Sequence, residues 1–189
     1  MKLKLFEDSI VINHVDDQKF TDEALEVLSN HKKLKYKIKK SNVLGFQTEN
    51  LNNEFIAKKI LDWSIQTLGD NLLFKKNINL RLLNFWINEN FKYSYNQVHN
   101  HCNSHFSGVF YLQVPKNSGN IFFLRPDFTS TMLDLSDWFY ASPLNIEEKE
   151  IQNYKNQFIL FPSTFMHGVK MNETNHSRIT ISFNLALHD

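Results

Sequence analysis

The chain has 189 residues, a formal charge of +1 and a pI near 7.9, and 42% of its residues are hydrophobic and 14% aromatic. That is enough apolar material for a substantial core in one domain, and too little net charge to steer the protein toward nucleic acid or an anionic membrane. A single cysteine, Cys102, excludes an internal disulfide, and the N-terminal MKLKLFEDSIV lacks an apolar targeting segment, so a reducing, cytoplasmic setting is expected.

In chain order, residues 2–15 contain two short alternating runs, LKLF and SIVINHV, which predict one or two strands. Between Asp16 and Leu34 the apolar positions Ala24, Leu25 and Leu28 predict a helix that starts near Thr21. Its acids, Asp22 and Glu23, would sit in the first turn and His31, Lys32 and Lys33 in the last, the order its dipole favours. Residues 41–53, rich in Asn and Ser around Gly45, read as a loop. Helical spacing returns from Asn53 to Leu68 through Phe55, Ile56, Ile60 and Trp63, and stops near Gly69.

After Asn77 the period changes to two. Strands are predicted at Asn79–Asn88, Ser107–Val114, Asn120–Leu124, Gln157–Phe161, His167–Met171 and Arg178–Leu187, with Lys116–Gly119 as a hairpin turn. Residues 125–150 form a long excursion containing Trp138, Phe139 and Tyr140, the expected lid and substrate-selecting surface. Two helices followed by many short strands predict a mainly β domain with N-terminal helices, a jelly roll or barrel with the helices packed on one outer face. The helical support would span residues 1–76 and the β core 77–189.

The chemistry is concentrated in two stretches, Tyr95–Leu112 and Phe158–Asn184. His99 and His101, two apart on an extended segment, point to one side, and His167 starts a later strand after Pro162-Ser163. Imidazoles converging from separate strands make a three-ligand metal site with open positions, and the lack of cysteine pairs argues against structural zinc. His14, His31, His176 and His188 read as ordinary residues. Arg178 opens an otherwise apolar or hydroxylic strand, so its permanent charge calls for a carboxylate, a phosphate or solvent; Thr180 shares its face.

The combination HNH, SGVFYLQVP, SGNIFF, LFPSTFMHGV and RITISFN resembles the iron(II)- and 2-oxoglutarate-dependent oxygenases, and most closely their group from marine bacteria and phages. The resemblance covers Trp86 to Asn184. It implies a double-stranded β-helix (jelly roll, cupin-like), with iron(II) held by His99, His101 and His167, and a host's cytoplasm as location if the gene is a phage's. It further implies that Arg178 binds the far carboxylate of 2-oxoglutarate, with Thr180 in the hydroxyl position and Tyr111 and, more weakly, Ser107 as further contacts. The family's carboxylate ligand falls on His101, which leaves iron(II) with one more positive charge than usual, tightening an anionic cosubstrate and raising the metal's reduction potential. His105 would serve a supporting or substrate-facing role, and Asp127 and Asp134 are the nearby carboxylates that could complete the triad instead.

The implied activity is a dioxygenase (hydroxylase) using O2 that oxidatively decarboxylates 2-oxoglutarate to succinate, with ascorbate as a supporting reductant. The primary substrate is unidentified; a peptidyl side chain is preferred over a small molecule by fold-level analogy with prolyl and aspartyl hydroxylases. Two other classes fit the same residues: a cupin-like metal-binding module without turnover, and a three-His metalloenzyme that does not use 2-oxoglutarate.

Overall fold

The computed structural model describes residues 10–33, 40–71, 79–124 and 148–188. Eleven strands and two helices run in the order β1 (Val11–His14), α1 (Gln18–Lys33), β2 (Asn42–Val43), β3 (Phe46–Gln47), α2 (Glu54–Asn71), β4 (Leu80–Asn90), β5 (Tyr95–His99), β6 (Phe106–Gln113), β7 (Ile121–Leu124), β8 (Glu148–Ile151), β9 (Gln157–Pro162), β10 (His167–Val169) and β11 (Arg178–Leu187). Every described pairing is antiparallel. A six-stranded sheet has the order β1-β9-β6-β11-β4-β3 and a five-stranded sheet the order β2-β5-β10-β7-β8.

The two sheets meet face to face through a small apolar cluster. Val109, Tyr111, Ile159 and Phe161 come from the larger sheet and Ile121 and Phe123 from the smaller. On its other face the larger sheet carries Phe85, Ile87, Phe110, Phe158, Ile181 and Phe183, and these pack against Phe20, Ala24 and Leu28 of α1 and Ile56, Ile60 and Leu68 of α2. Period two in the strands therefore meets period 3.6 in the helices in one continuous core. This is the double-stranded β-helix, with its helices on one outer face.

The helices begin where their caps are. The Asp17 carboxylate accepts the Phe20 N–H at 3.0 Å and pairs with Lys59 at 2.7 Å, so α1 starts at Gln18 and its first turn holds no acid. Thr21 is consequently buried inside the helix, and the expected start there is three residues late, because Asp17 supplies the stronger acceptor. Asn53 caps α2 in the same way, accepting the Ile56 N–H at 2.9 Å. Residues 41–53 are also more ordered than a loop: β2 and β3 lie here, each pairing at one end of a sheet. β8 was not foreseen, β5 was anticipated only as the extended segment that carries His99, and β4 runs two residues past the expected end at Asn88. The lid expected at 125–150, with Trp138, Phe139 and Tyr140, lies mostly outside the described residues, as do Asp127 and Asp134.

Candidate metal and cosubstrate site

Strand pairing brings the two His-bearing stretches together. His167 on β10 sits directly opposite His99 on β5, and His101 follows two residues after His99. The backbone N–H of His101 donates to the Ser163 carbonyl at 2.9 Å, which ties this segment to the turn before β10. The three imidazoles each offer a nitrogen, and these atoms all lie within 4.8 Å of one another. Ring centroids are 4.4 Å apart for His99 and His167, 5.0 Å for His99 and His101, and 5.3 Å for His101 and His167.

Hydrogen bonds fix which nitrogen is free. His99 Nδ1 is 2.7 Å from the Gln97 carbonyl and His167 Nδ1 is 2.9 Å from the Phe165 carbonyl. A carbonyl only accepts, so both Nδ1 atoms carry hydrogen and both Nε2 atoms keep a lone pair. Burial keeps the rings neutral. It lowers His99, takes His101 down to about 4 and His167 down to about 3, with the neighbouring imidazoles adding repulsion to the latter two. Phe161 and Phe123, with centroids 4.7 and 5.8 Å from the His167 ring, provide the apolar surround. Three neutral, convergent imidazoles, two of them held in one tautomer, are a donor set suited to a first-row metal ion.

The same cavity is lined by Arg178, Tyr111 and Thr180. Arg178 is 1% exposed. Its Nη1 donates to the carbonyls of Ser118 and Gly119, the latter at 2.7 Å, and the Gly119 φ of +84° belongs to the turn that aims this pair inward. Burial lowers its pKa to about 10, so the guanidinium stays charged at neutral pH. Among the described residues no carboxylate pairs with it. A buried cation whose remaining N–H groups face a cavity is suited to an anionic ligand. Burial pushes the Tyr111 hydroxyl up, so it remains a neutral donor beside Arg178.

Ser107 does not reach this cavity: its hydroxyl donates to Asn184 Oδ1 at 2.7 Å and shares a 2.8 Å bond with Ser163. His105 is exposed and stands apart from the imidazole cluster, its Nδ1 accepting the Leu187 N–H at 3.2 Å. Cys102 is exposed and makes only a 3.9 Å contact with Asn100. Sequence reasoning missed Trp86, Asn88 and Ser182, which also line the cavity. Asn88 Nδ2 donates to Ser182 Oγ at 3.0 Å, which frees the Ser182 hydroxyl hydrogen for another acceptor. Ser182 lay within reach of the alternation that singled out Arg178 and Thr180; Trp86 and Asn88 needed the β4–β11 register, which sets them opposite Ser182 and Thr180.

Residues 84–184, which are 101 of the 189, match the family model described as "Putative 2OG-Fe(II) oxygenase". No curated protein sequence matches the chain. Among solved structures, HygX from Streptomyces hygroscopicus with nickel and 2-oxoglutarate bound is similar with a TM-score of 0.67 at 13% identity, over 95% of this chain and 83% of that one. A Pseudomonas putida prolyl-4-hydroxylase gives 0.63 at 10% identity, over 96% and 94%. The α-ketoglutarate-dependent epimerase SnoN from nogalamycin biosynthesis gives 0.66 at 13%, over 95% and 78%. At these identities the structures establish the shared fold. The family match spans the strands that carry the imidazoles and Arg178, and it makes this chain a member of the 2OG-Fe(II) oxygenases, the family named for iron(II) and 2-oxoglutarate.

Proposed function

We propose that the protein is an Fe(II)- and 2-oxoglutarate-dependent dioxygenase that hydroxylates a C–H bond, with a peptidyl side chain as its substrate. The observation that carries this reading is the convergence of three neutral imidazoles in one cavity with a buried guanidinium that no described carboxylate neutralises. In it, His99, His101 and His167 hold the ion, and Arg178, Tyr111 and Thr180 hold the distal carboxylate of the cosubstrate. Iron(II), when bound, supplies with O2 the oxidising chemistry that couples decarboxylation of 2-oxoglutarate to hydroxylation.

The chain's own residues do the rest. The Gln97 and Phe165 carbonyls lock two imidazoles in the ligating tautomer before any ion arrives. The Ser118 and Gly119 carbonyls occupy one nitrogen of Arg178, leaving Nη2 and Nε for a bidentate carboxylate. Tyr111 and Thr180 add hydroxyl donors, and Val109, Ile121 and Phe161 keep the walls between the two ends apolar, which strengthens both charge interactions. The peptidyl reading is supported by the likeness to a prolyl-4-hydroxylase and is a fold-level analogy.

Calorimetry with a redox-inert divalent metal should detect 2-oxoglutarate binding, and iron(II) with ascorbate should yield succinate in step with a hydroxylated peptide. A metal-loaded protein that ignores 2-oxoglutarate would sink the oxygenase reading and favour a three-His metalloenzyme of another kind. Binding without any succinate, across candidate substrates, would favour a module without turnover.

A further inference from the structure

A second cavity, of about 420 Å³, lies beside the imidazoles among β3, β4, β5 and β11. It shares Ser41, Trp86, His99 and His101 with the cosubstrate cavity, so a molecule held in it touches the outer edge of the three-His cluster. Among the described residues the rest of its wall is dominated by carboxamides, those of Gln47, Asn84, Gln97, Asn100 and Asn184. Among the described residues its one permanent charge is Lys40, whose Nζ lies 5.8 Å from the Trp86 ring centroid, and no carboxylate lines it.

The hydrogen-bond inventory separates the amides that are used from those that are not. Asn184 is used at both ends: its Nδ2 donates to Asn84 Oδ1 at 2.8 Å and its Oδ1 accepts from Ser107. The Asn84 amide hydrogens are left over. Gln47 is only 4% exposed, lines the cavity, and its carboxamide has no hydrogen-bond partner among the described residues. The Gln47 amide atoms open onto the cavity, so a ligand that displaces their water must match them in turn. Gln47 offers a donor and an acceptor in one plane, and the group that matches both at once is another amide. Trp86 adds a flat apolar face of the kind on which planar groups stack.

We propose that this cavity selects a neutral amide, a peptide bond or a side-chain carboxamide, laid against Trp86 and paired with Gln47 and Asn84, and that it rejects cations. This rests on the dioxygenase reading and names the substrate class for that same site. A cationic side chain would meet Lys40 and no carboxylate among the described lining residues, so it would lose its hydration without compensation.

The test uses the full chain loaded with zinc and 2-oxoglutarate, titrated with N-acetylasparagine amide, N-acetyllysine amide or methyl glucoside and followed by NMR of the Trp86 indole. The asparagine amide should bind at least about tenfold more tightly than the lysine amide. Two carboxylate variants, Gln47→Glu and Asn84→Asp, should reverse that order while leaving 2-oxoglutarate affinity within twofold; Asn84→Asp keeps the acceptor that Asn184 uses, so it guards against misfolding of the first. Equal binding of the two amides, no binding of either, or an unchanged order in both variants overturns the proposal. Tighter binding of methyl glucoside than of the asparagine amide overturns it in favour of a sugar. Failure of 2-oxoglutarate itself to bind would strike the function proposed above, and the amide preference would then be decided by the same titration of the zinc-loaded protein.

Discussion

Along β11 two sets of residues alternate, and all but the half-buried Ser182 are buried. Ile179, Ile181, Phe183 and Leu185 face the helices and belong to the main apolar core. Arg178, Thr180 and Ser182 line the cavity between the sheets, and Asn184 lines the one beside it. Exposure does not distinguish them: Arg178 is 1% exposed and Phe183 is also 1% exposed. What differs is the sign of their contribution. The apolar set stabilises the fold by leaving water. The polar set is a cost to the empty fold, since a buried guanidinium held only by carbonyls and an Asn88 Oδ1 without a partner both forgo hydration. On the function proposed, one strand carries stability on one face and binding on the other, and substitutions should pull the two apart.

The largest expected separation is at the metal. His167→Ala should reduce metal affinity by more than the 10–100-fold typical of losing a ligand's supporting partner, while thermal unfolding of the metal-free protein stays within a few degrees; calorimetry and a melting curve on one preparation check both. Next is Phe183→Ala on the opposite face, expected to cost about 3–5 kcal/mol in denaturant unfolding because Phe183 stacks on Phe158 at 5.3 Å. Its metal affinity, measured below the unfolding transition, should be unchanged. Arg178→Met should weaken 2-oxoglutarate by about 2–5 kcal/mol while leaving the ligand-free protein as stable or more stable. Loss of stability without loss of affinity would mean that Arg178 belongs to the core and not to the site.

The sequence carried the two faces unequally. Period two in RITISFN and FILF was enough to find the long strands, and the helical spacing of Ile56, Ile60 and Trp63 was enough to find α2. His99, His101, His167 and Arg178 could be singled out because charged or ligating groups inside apolar strands demand a reason. The amide-lined wall was illegible for the opposite cause. Asn84, Asn88 and Gln47 are common surface residues, and only the pairing of β3 with β4 and of β4 with β11 turns them inward. β2 and β3 are two residues each, too short for any period to register, and their pairing is set by tertiary contact.

Gly108 offers a sharper cut at the boundary between the faces. A Cβ there would strike the Phe183 ring and come within 2.8 Å of the Ile159 carbonyl, and backbone cannot step aside as a side chain can. Gly108→Ala should therefore cost about 1–3 kcal/mol of stability, read from the denaturation midpoint. The double variant with Phe183→Ala should recover part of that loss, because it removes one of the two obstacles.

The smallest effect is the one that reports on the polar face alone. Burial holds His101 at about 4 and His167 at about 3, and His99 shifts the same way, whereas in the unfolded chain each titrates near 6.5. As pH falls below 6.5 the unfolded state takes up protons that the folded state refuses, so these rings lower the stability of the metal-free protein through the window from 6.5 to about 3 and leave it level above 6.5. By pH 6 the loss should be under about 1 kcal/mol for each of His101 and His167. Melting temperatures of chelated protein at pH 7.5, 6 and 5 measure it, and His167→Asn should flatten the slope, whereas Phe183→Ala should lower the whole curve and keep its shape. An undiminished slope in the double variant His167→Asn with His101→Asn would place the titrating groups elsewhere and show these two rings to be hydrated, which is incompatible with a site prearranged for an ion.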